Sequence, residues 1–149
     1  MGRTEDRTHV FCLVFQLPYI DISDAGTVVE RYYDGLEQGK EGIDTKFVKR
    51  EFEGVIENLN MIDQKINEVL TDWDLNRLAA ADLAILRLAV FELVFGEKIP
   101  HKVAINEAIN LAKVYSAKDA PKFINGALGS VFEKEEERRR IGTEEEKEE

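Results

Sequence analysis

The chain predicts an all-α fold of six or seven helices packed as bundles. Three observations carry this. Only three prolines and ten glycines interrupt the 149 residues. Between them the apolar residues recur mostly at three- and four-residue spacing. No strand hairpin, internal repeat or glycine-rich phosphate loop occurs. A chain of this length builds one single-core domain, or two small subdomains sharing a core. The expected division is a folded region over 1–140, with an N-terminal subdomain to about residue 73 and a C-terminal one over 74–140, followed by a disordered acidic tail over 141–149.

The first patterned segment, Arg7 to Leu17, is closed by Pro18. Its run Val10 to Phe15 is continuously apolar, so periodicity alone fits a helix or a buried strand. Just upstream, Thr4 suits an N-cap, with Glu5 and Asp6 in a first turn whose dipole favours acids. Asp21 to Asp24 then offer capping side chains for a helix through Val28, Val29, Tyr32, Tyr33 and Leu36, ending near Gly39. After the GKEG connection, Asp44 is a good N-cap for a stripe of Phe47, Val48, Phe52, Val55, Ile56 and Leu59. Met61, Ile62, Ile66, Val69, Leu70 and Trp73 continue the pattern, and the residues permit one long helix.

Leu83 to Phe95 is apolar on nearly every face apart from Arg87 and Glu92, which predicts a central helix of the bundle. Gly96 stops it and Pro100 begins the next. There, Val103, Ile105, Ala108, Ile109 and Ala112 are expected inside, with Lys102, Asn106, Asn110 and Lys113 outside. The last helix starts near Asp119 with Pro121 in its first turn, and buries Phe123, Ile124, Ala127, Leu128, Val131 and Phe132. Arg138 to Arg140, balanced by Glu133 and Glu135 to Glu137, are expected as solvated pairs at a fraying end.

The formal net charge of −10 argues against coating of nucleic acid by bulk electrostatics. Thr143 to Glu149 holds five glutamates and one lysine, so −4 of that total lies in the tail. Any RNA binding has to come from a local basic patch on an acidic body. The start of the chain has acids where a signal peptide is basic, and no apolar run has the length of a membrane span; a cytoplasmic protein is expected. Cys12, the one cysteine, excludes an intramolecular disulfide or multi-thiolate metal site and reads as a core thiol. His9 shares a helical face with it, but nothing supplies a third orienting group. Asp72, Asp74 and Asn76 have the spacing that opens a calcium loop, yet Arg77 stands at the glycine turn and Leu83 at the bidentate acid. His9 and His101 lack partners at ligand spacing. No cofactor, metal or catalytic site is expected.

Asp119, Lys122 and Phe123 stand at i, i+3 and i+4, which puts an acid, a base and a ring on one face near a helix start. Such a group suits a phosphate beside a stacked unpaired base; equally, Phe123 fits the core.

Three further signatures occur in order: DLNRLAAADLAILRLAVFEL preceded by Trp73, KVAINEAINLAK, and KFINGALG. Together they resemble the C-terminal half of NusB-type transcription antitermination factors, with their W-x-L-x-R-L, A-I-L-R-x-A-V-x-E-L, K-V-A-I-N-E-A and K-F-[VI]-N-G runs. Most matching residues also have a packing role: Asn106 and Glu107 as helix bridges, Arg87 as partner of Glu92 or Glu107, Gly126 as a close contact. The start of the chain departs from the family's arginine-rich stretch. Arg7, Phe15 and Gln16 keep the outline of R-x-x-A-x-x-x-L-[FY]-Q, Val10 and Val14 replace its alanine and leucine, and Thr4, Glu5 and Asp6 replace much of the basic run.

The resemblance implies an RNA-binding factor without catalytic activity. It would pair with the ribosomal protein NusE and hold the single-stranded boxA element of nascent ribosomal RNA in the RNA polymerase antitermination complex. It also implies a break in the long helix around Asn58 to Asn60. Phosphate contacts fall to Arg3, Arg7 and Lys122, stacking to Phe123, a base-edge acceptor to Asp119, a hydroxyl contact to Thr4 and partner contact to Asp82. With few cations, affinity is expected to lean on the partner. Two rival readings are an isolated RNA-binding module like that of ribosomal RNA cytosine methyltransferases, and a protein-interaction bundle that has lost RNA binding.

Overall fold

A computed structural model of the chain describes residues 2–70, 75–96 and 99–148. Asp72, Trp73 and Asp74 lie outside them. The described residues form seven helices and no strand: α1 (Gly2–Phe15), α2 (Ala25–Asp34), α3 (Thr45–Glu57), α4 (Leu59–Val69), α5 (Ala80–Phe95), α6 (His101–Tyr115) and α7 (Ala120–Glu148). No described helix is long and apolar enough to cross a membrane.

The centre is α5, which packs against α1, α3, α4, α6 and α7. Ala84 to Val90 are buried without interruption, followed by Glu92 and Leu93, as a helix apolar all round requires. Its two charges are met from other helices. The Arg87 guanidinium donates to both carboxylate oxygens of Asp63 on α4, each at 2.9 Å, and not to the Glu92 or Glu107 its spacing suggests. Glu92 instead accepts from Arg7 on α1, Nε lying 3.2 and 3.0 Å from its two oxygens.

Several boundaries differ from those the sequence predicts. α1 is a helix throughout and starts at Gly2, so Thr4 sits inside it and not at its cap. Within its first turns, buried Asp6 accepts from the backbone N–H of Asp44 at 3.2 Å, beside the start of α3. Asp44 in turn accepts from Phe47 N–H at 3.1 Å, the expected cap. α2 ends at Asp34, before Gly39, and the connection that follows turns through positive φ at Gly39 and Gly42, where a side chain would be strained. The long helix is broken at Asn58, whose backbone leaves the helical region and whose side-chain N–H donates to the Gly54 carbonyl at 2.8 Å.

On α6 the buried face is Ala104, Ala108, Leu111 and Ala112, while Val103 is exposed. Alanines at every fourth residue line the buried face of α6, and Val103 stands off it. α7 buries Ile124, Ala127, Leu128 and Val131 and keeps Phe123 and Phe132 half-buried. It continues as helix to Glu148, beyond the end placed at residue 140. Arg138 is tied to Glu135 one turn back and across to Glu68 on α4, and Lys65 also donates to Glu135. These links clamp the helix where fraying is expected of charge alone.

The Arg7–Glu92 pair is nearly dry, with side chains 7% and 3% exposed. Removing one partner strands the other charge. Arg7→Ala is expected to lower the unfolding free energy by about 3–5 kcal/mol in urea titrations. The double variant Arg7→Met with Glu92→Leu is expected to lose much less; equal losses in both would mean that charge pairing does not hold α1 on α5.

Candidate functional site

The start of α7 brings three of the named residues to one cleft, with a fourth, Lys122, next to Phe123 in the chain. Asp82, Asp119 and Phe123 line a cavity of about 310 Å³ together with Arg77 from the turn before α5. Phe123 is half-buried, so one part of its ring packs and the rest faces the cleft. Lys122, one residue away, is exposed and has no ion-pair partner within 4.0 Å among the described residues. Asp82 accepts a short hydrogen bond from the Ser116 hydroxyl, which joins the start of α5 to the end of α6.

The other three residues lie elsewhere. Arg3 donates to Asp44 at 2.9 Å, stands 3.7 Å from Asp6 and covers the Phe47 ring at 4.0 Å. Thr4 donates to Glu107 on α6 at 3.1 Å. Arg7 is 6% exposed and committed to Glu92, so it is a structural charge and not a free phosphate ligand. Neither Arg3 nor Thr4 lines the cleft at the start of α7. Of the three candidate phosphate-binding cations, Arg3 and Arg7 are paired with acids and Lys122 is not, among the described residues.

His9 and Cys12 do not form a dyad. His9 Nδ1 is 2.6 Å from the Tyr32 hydroxyl, and burial pushes the Cys12 thiol up from its ordinary value. A raised thiol is a poor nucleophile.

Two features escape the sequence reading. The first is an aromatic row at the ends of α1 and α6. The Phe11 and Phe15 ring centres are 6.2 Å apart, Phe15 and Tyr19 6.3 Å, and Phe11 and Tyr115 5.0 Å. Phe15 is 37% exposed, Tyr19 71% and Tyr115 46%, and Tyr115 adjoins the Ser116 that holds Asp82. The i, i+4, i+8 spacing of residues 11, 15 and 19 is visible in the sequence, but the continuous apolar run absorbs it.

The second is Glu51, which falls on the apolar stripe of α3 and is only 4% exposed. Burial and the nearby Glu92 carboxylate push its pKa up to about 7, against the pull of Arg50, Arg7 and Arg3. Its position one turn after Phe47 carries the signal: a carboxylate where the period demands an apolar side chain.

Comparison with known proteins places these surfaces in context. The profile described as the NusB family matches residues 4–133. The transcription antitermination protein NusB of Clostridium novyi is 39% identical over 132 residues, covering 89% of this chain and 98% of that one. Among solved structures, T. maritima NusB superposes with a TM-score of 0.78 at 37% identity, covering 89% and 92% of the two chains. A complex titled antitermination factors NusB and NusE with dsRNA shares the fold at a TM-score of 0.73 and 20% identity, covering 89% and 96%.

The Glu51 carboxyl titrates near 7 when folded and near the ordinary glutamate value when unfolded. The raised folded value means that its contribution to stability is complete below the unfolded value and is lost as pH rises through about 7. Glu51→Gln is therefore expected to stabilise the protein by about 1–3 kcal/mol at pH 8 and little at pH 5, measured by denaturant titration. The same gain at both pH values would exclude titration of Glu51 as the cause.

Proposed function

The chain belongs to the NusB family, and from that membership and the α7 cleft we propose that it is an RNA-binding transcription antitermination factor. It acts with a NusE-type ribosomal protein on the boxA element of nascent ribosomal RNA, within the RNA polymerase antitermination complex. The observation that carries this reading is the group at the start of α7. Lys122 is an unspent cation, Phe123 offers part of a ring, and Asp119 borders the same cleft as an acceptor.

In mechanism, the unpaired strand lays a base against Phe123, its edge donates to Asp119, and the adjoining phosphate meets Lys122 and the first-turn amides of α7. Arg3 and Thr4 add contacts farther along, after Arg3 exchanges Asp44 for a phosphate. Arg7 acts through position alone, by fixing α1. The protein partner docks on Asp82 and the neighbouring aromatic row of Phe15, Tyr19 and Tyr115, a ring-rich patch of the composition that interfaces favour. A NusB of the same fold assembles with NusE and dsRNA.

A protein-interaction bundle is the second reading. It is favoured by one observation: Arg7 is consumed by Glu92 and Arg3 by Asp44.

Lys122→Ala with Phe123→Ala is expected to weaken boxA binding by about ten- to a hundredfold in fluorescence titrations of the complex. Removal of the lysine alone reduces the slope of log affinity against log salt by about 0.7. Unchanged RNA retention with the fold intact would favour the interaction-only bundle. Adding NusE is expected to tighten boxA binding; identical affinity with and without it would defeat partner dependence.

A further inference from the structure

Away from the α7 cleft, α1, α3, α5 and the first turn of α6 enclose a larger cleft of about 750 Å³. Its walls include Arg3, Phe47, Arg50, Glu51, Phe91 and Phe95. The Phe91 and Phe95 rings are stacked with centres 5.7 Å apart and stay half-buried, leaving an aromatic wall. Arg50 is exposed at the rim and has no ion-pair partner within 4.0 Å among the described residues. Glu51 lies against the same cleft, more than nine-tenths buried, and neither accepts a hydrogen bond nor forms an ion pair with any described residue.

The Glu51 oxygens are not sealed from the cleft, and with no donor from the described residues they are met by solvent alone, so they suit a ligand that brings donors. An ionised carboxylate only accepts, through two oxygens side by side. Among the four RNA bases, guanine alone presents two adjacent N–H donors, N1–H and N2–H, on its Watson–Crick edge. Adenine and cytosine set an acceptor beside their donor, and uracil flanks its donor with two acceptors.

We propose that this cleft binds a guanine nucleotide, the base against the Phe91 and Phe95 rings with its N1–H and N2–H donated to Glu51, and the phosphate on Arg50. The shared chemistry fits a free nucleotide or an unpaired guanosine of a bound strand. Only the second source rests on the RNA-binding reading above. Glu51 is faced by Arg3, Arg7 and Arg50, which favour its charged form, and by Glu92, which opposes it.

The test is a titration of the isotope-labelled full chain with GMP, AMP, CMP and UMP, followed at the amides of Glu51 and Phe95. GMP is expected to produce saturable shifts with at least about tenfold higher affinity than the other three. That preference should decline between pH 8 and pH 6 as Glu51 takes up a proton. Glu51→Gln, which keeps the size of the side chain, should abolish the preference, and Arg50→Ala should weaken GMP without changing guanosine. Equal shifts for all four nucleotides, absence of shifts at these amides, or a preference that survives Glu51→Gln would overturn the proposal.

A boxA strand extended by one guanosine, compared with the same strand ending in adenosine, separates the sources. Tighter binding that depends on Glu51 indicates the strand; GMP binding without it indicates a free nucleotide. RNA that binds through Lys122 and Phe123 while GMP fails sinks this site and leaves the proposed function standing. GMP binding by a chain that holds no RNA does the reverse.

Discussion

Arg7 and Glu92 hold the first helix against the central one through a charge pair that water hardly reaches. Two ions withdrawn from water gain from each other only when their geometry is good. Here the guanidinium meets both carboxylate oxygens, and the ring of Phe47 lies 5.9 Å from the same group. The pair fixes how far α1 slides along α5, and much else follows from that register. Asp6 reaches the Asp44 N–H, Thr4 reaches Glu107 and Phe11 meets Tyr115 only with α1 in this position. An interior pair of this kind contributes more to a unique arrangement than to net stability, since a well-packed apolar pair would hold the helices as firmly without dictating their register.

The same economy of charge explains how an acidic chain offers local attraction to an anion. Several basic side chains are neutralised: Arg3 by Asp44, Arg7 by Glu92, Arg87 by Asp63 and Arg138 by Glu68 and Glu135. Among the cations that no acid has claimed, Lys122 stands beside Phe123 and Arg50 beside the larger cleft. Net charge sets the long-range field, but within a Debye length of about 8 Å the local arrangement decides. A strand approaching this protein is repelled as a whole and held at few points, which is why a partner surface next to Asp82 matters to the proposed function.

The legible part of the fold is the part encoded by neighbours along the chain. The period over Ala84 to Val90, the cap at Asp44 and the beginning of the last helix after Asp119 depend on residues within a turn or two of each other. Glu92 and Arg7 are 85 positions apart, and no local pattern tells a surface arginine from a buried one. For the same reason Val103 reads as core from its spacing, although Ala104, Ala108, Leu111 and Ala112 form the buried face of α6. Of the candidate site, the grouping of Asp119, Lys122 and Phe123 is local and readable. Its junction with Asp82 needs the Ser116 hydrogen bond, which only the folded chain supplies.

Glu51 stands apart from both cases, because its anomaly is local and its consequence is tertiary. A glutamate on the stripe between Phe47 and Val55 signals a conflict between period and chemistry. Natural sequences agree across levels except where function or strain overrides, so such a conflict marks a place to look. The fold resolves it in part: three arginines lower the cost of the charge, while Glu92 and burial raise it. No salt bridge with a described residue removes the conflict, and protonation removes it only as pH falls through about 7. Gly54 sharpens the point, since a Cβ there would stand 2.2 Å from Phe91, so the backbone of α3 presses directly on the aromatic wall beside the cleft. A carboxylate held by a rigid helix in the same cleft as two stacked rings keeps an acceptor available beside an aromatic wall, and that combination discriminates among bases by the donors they bring.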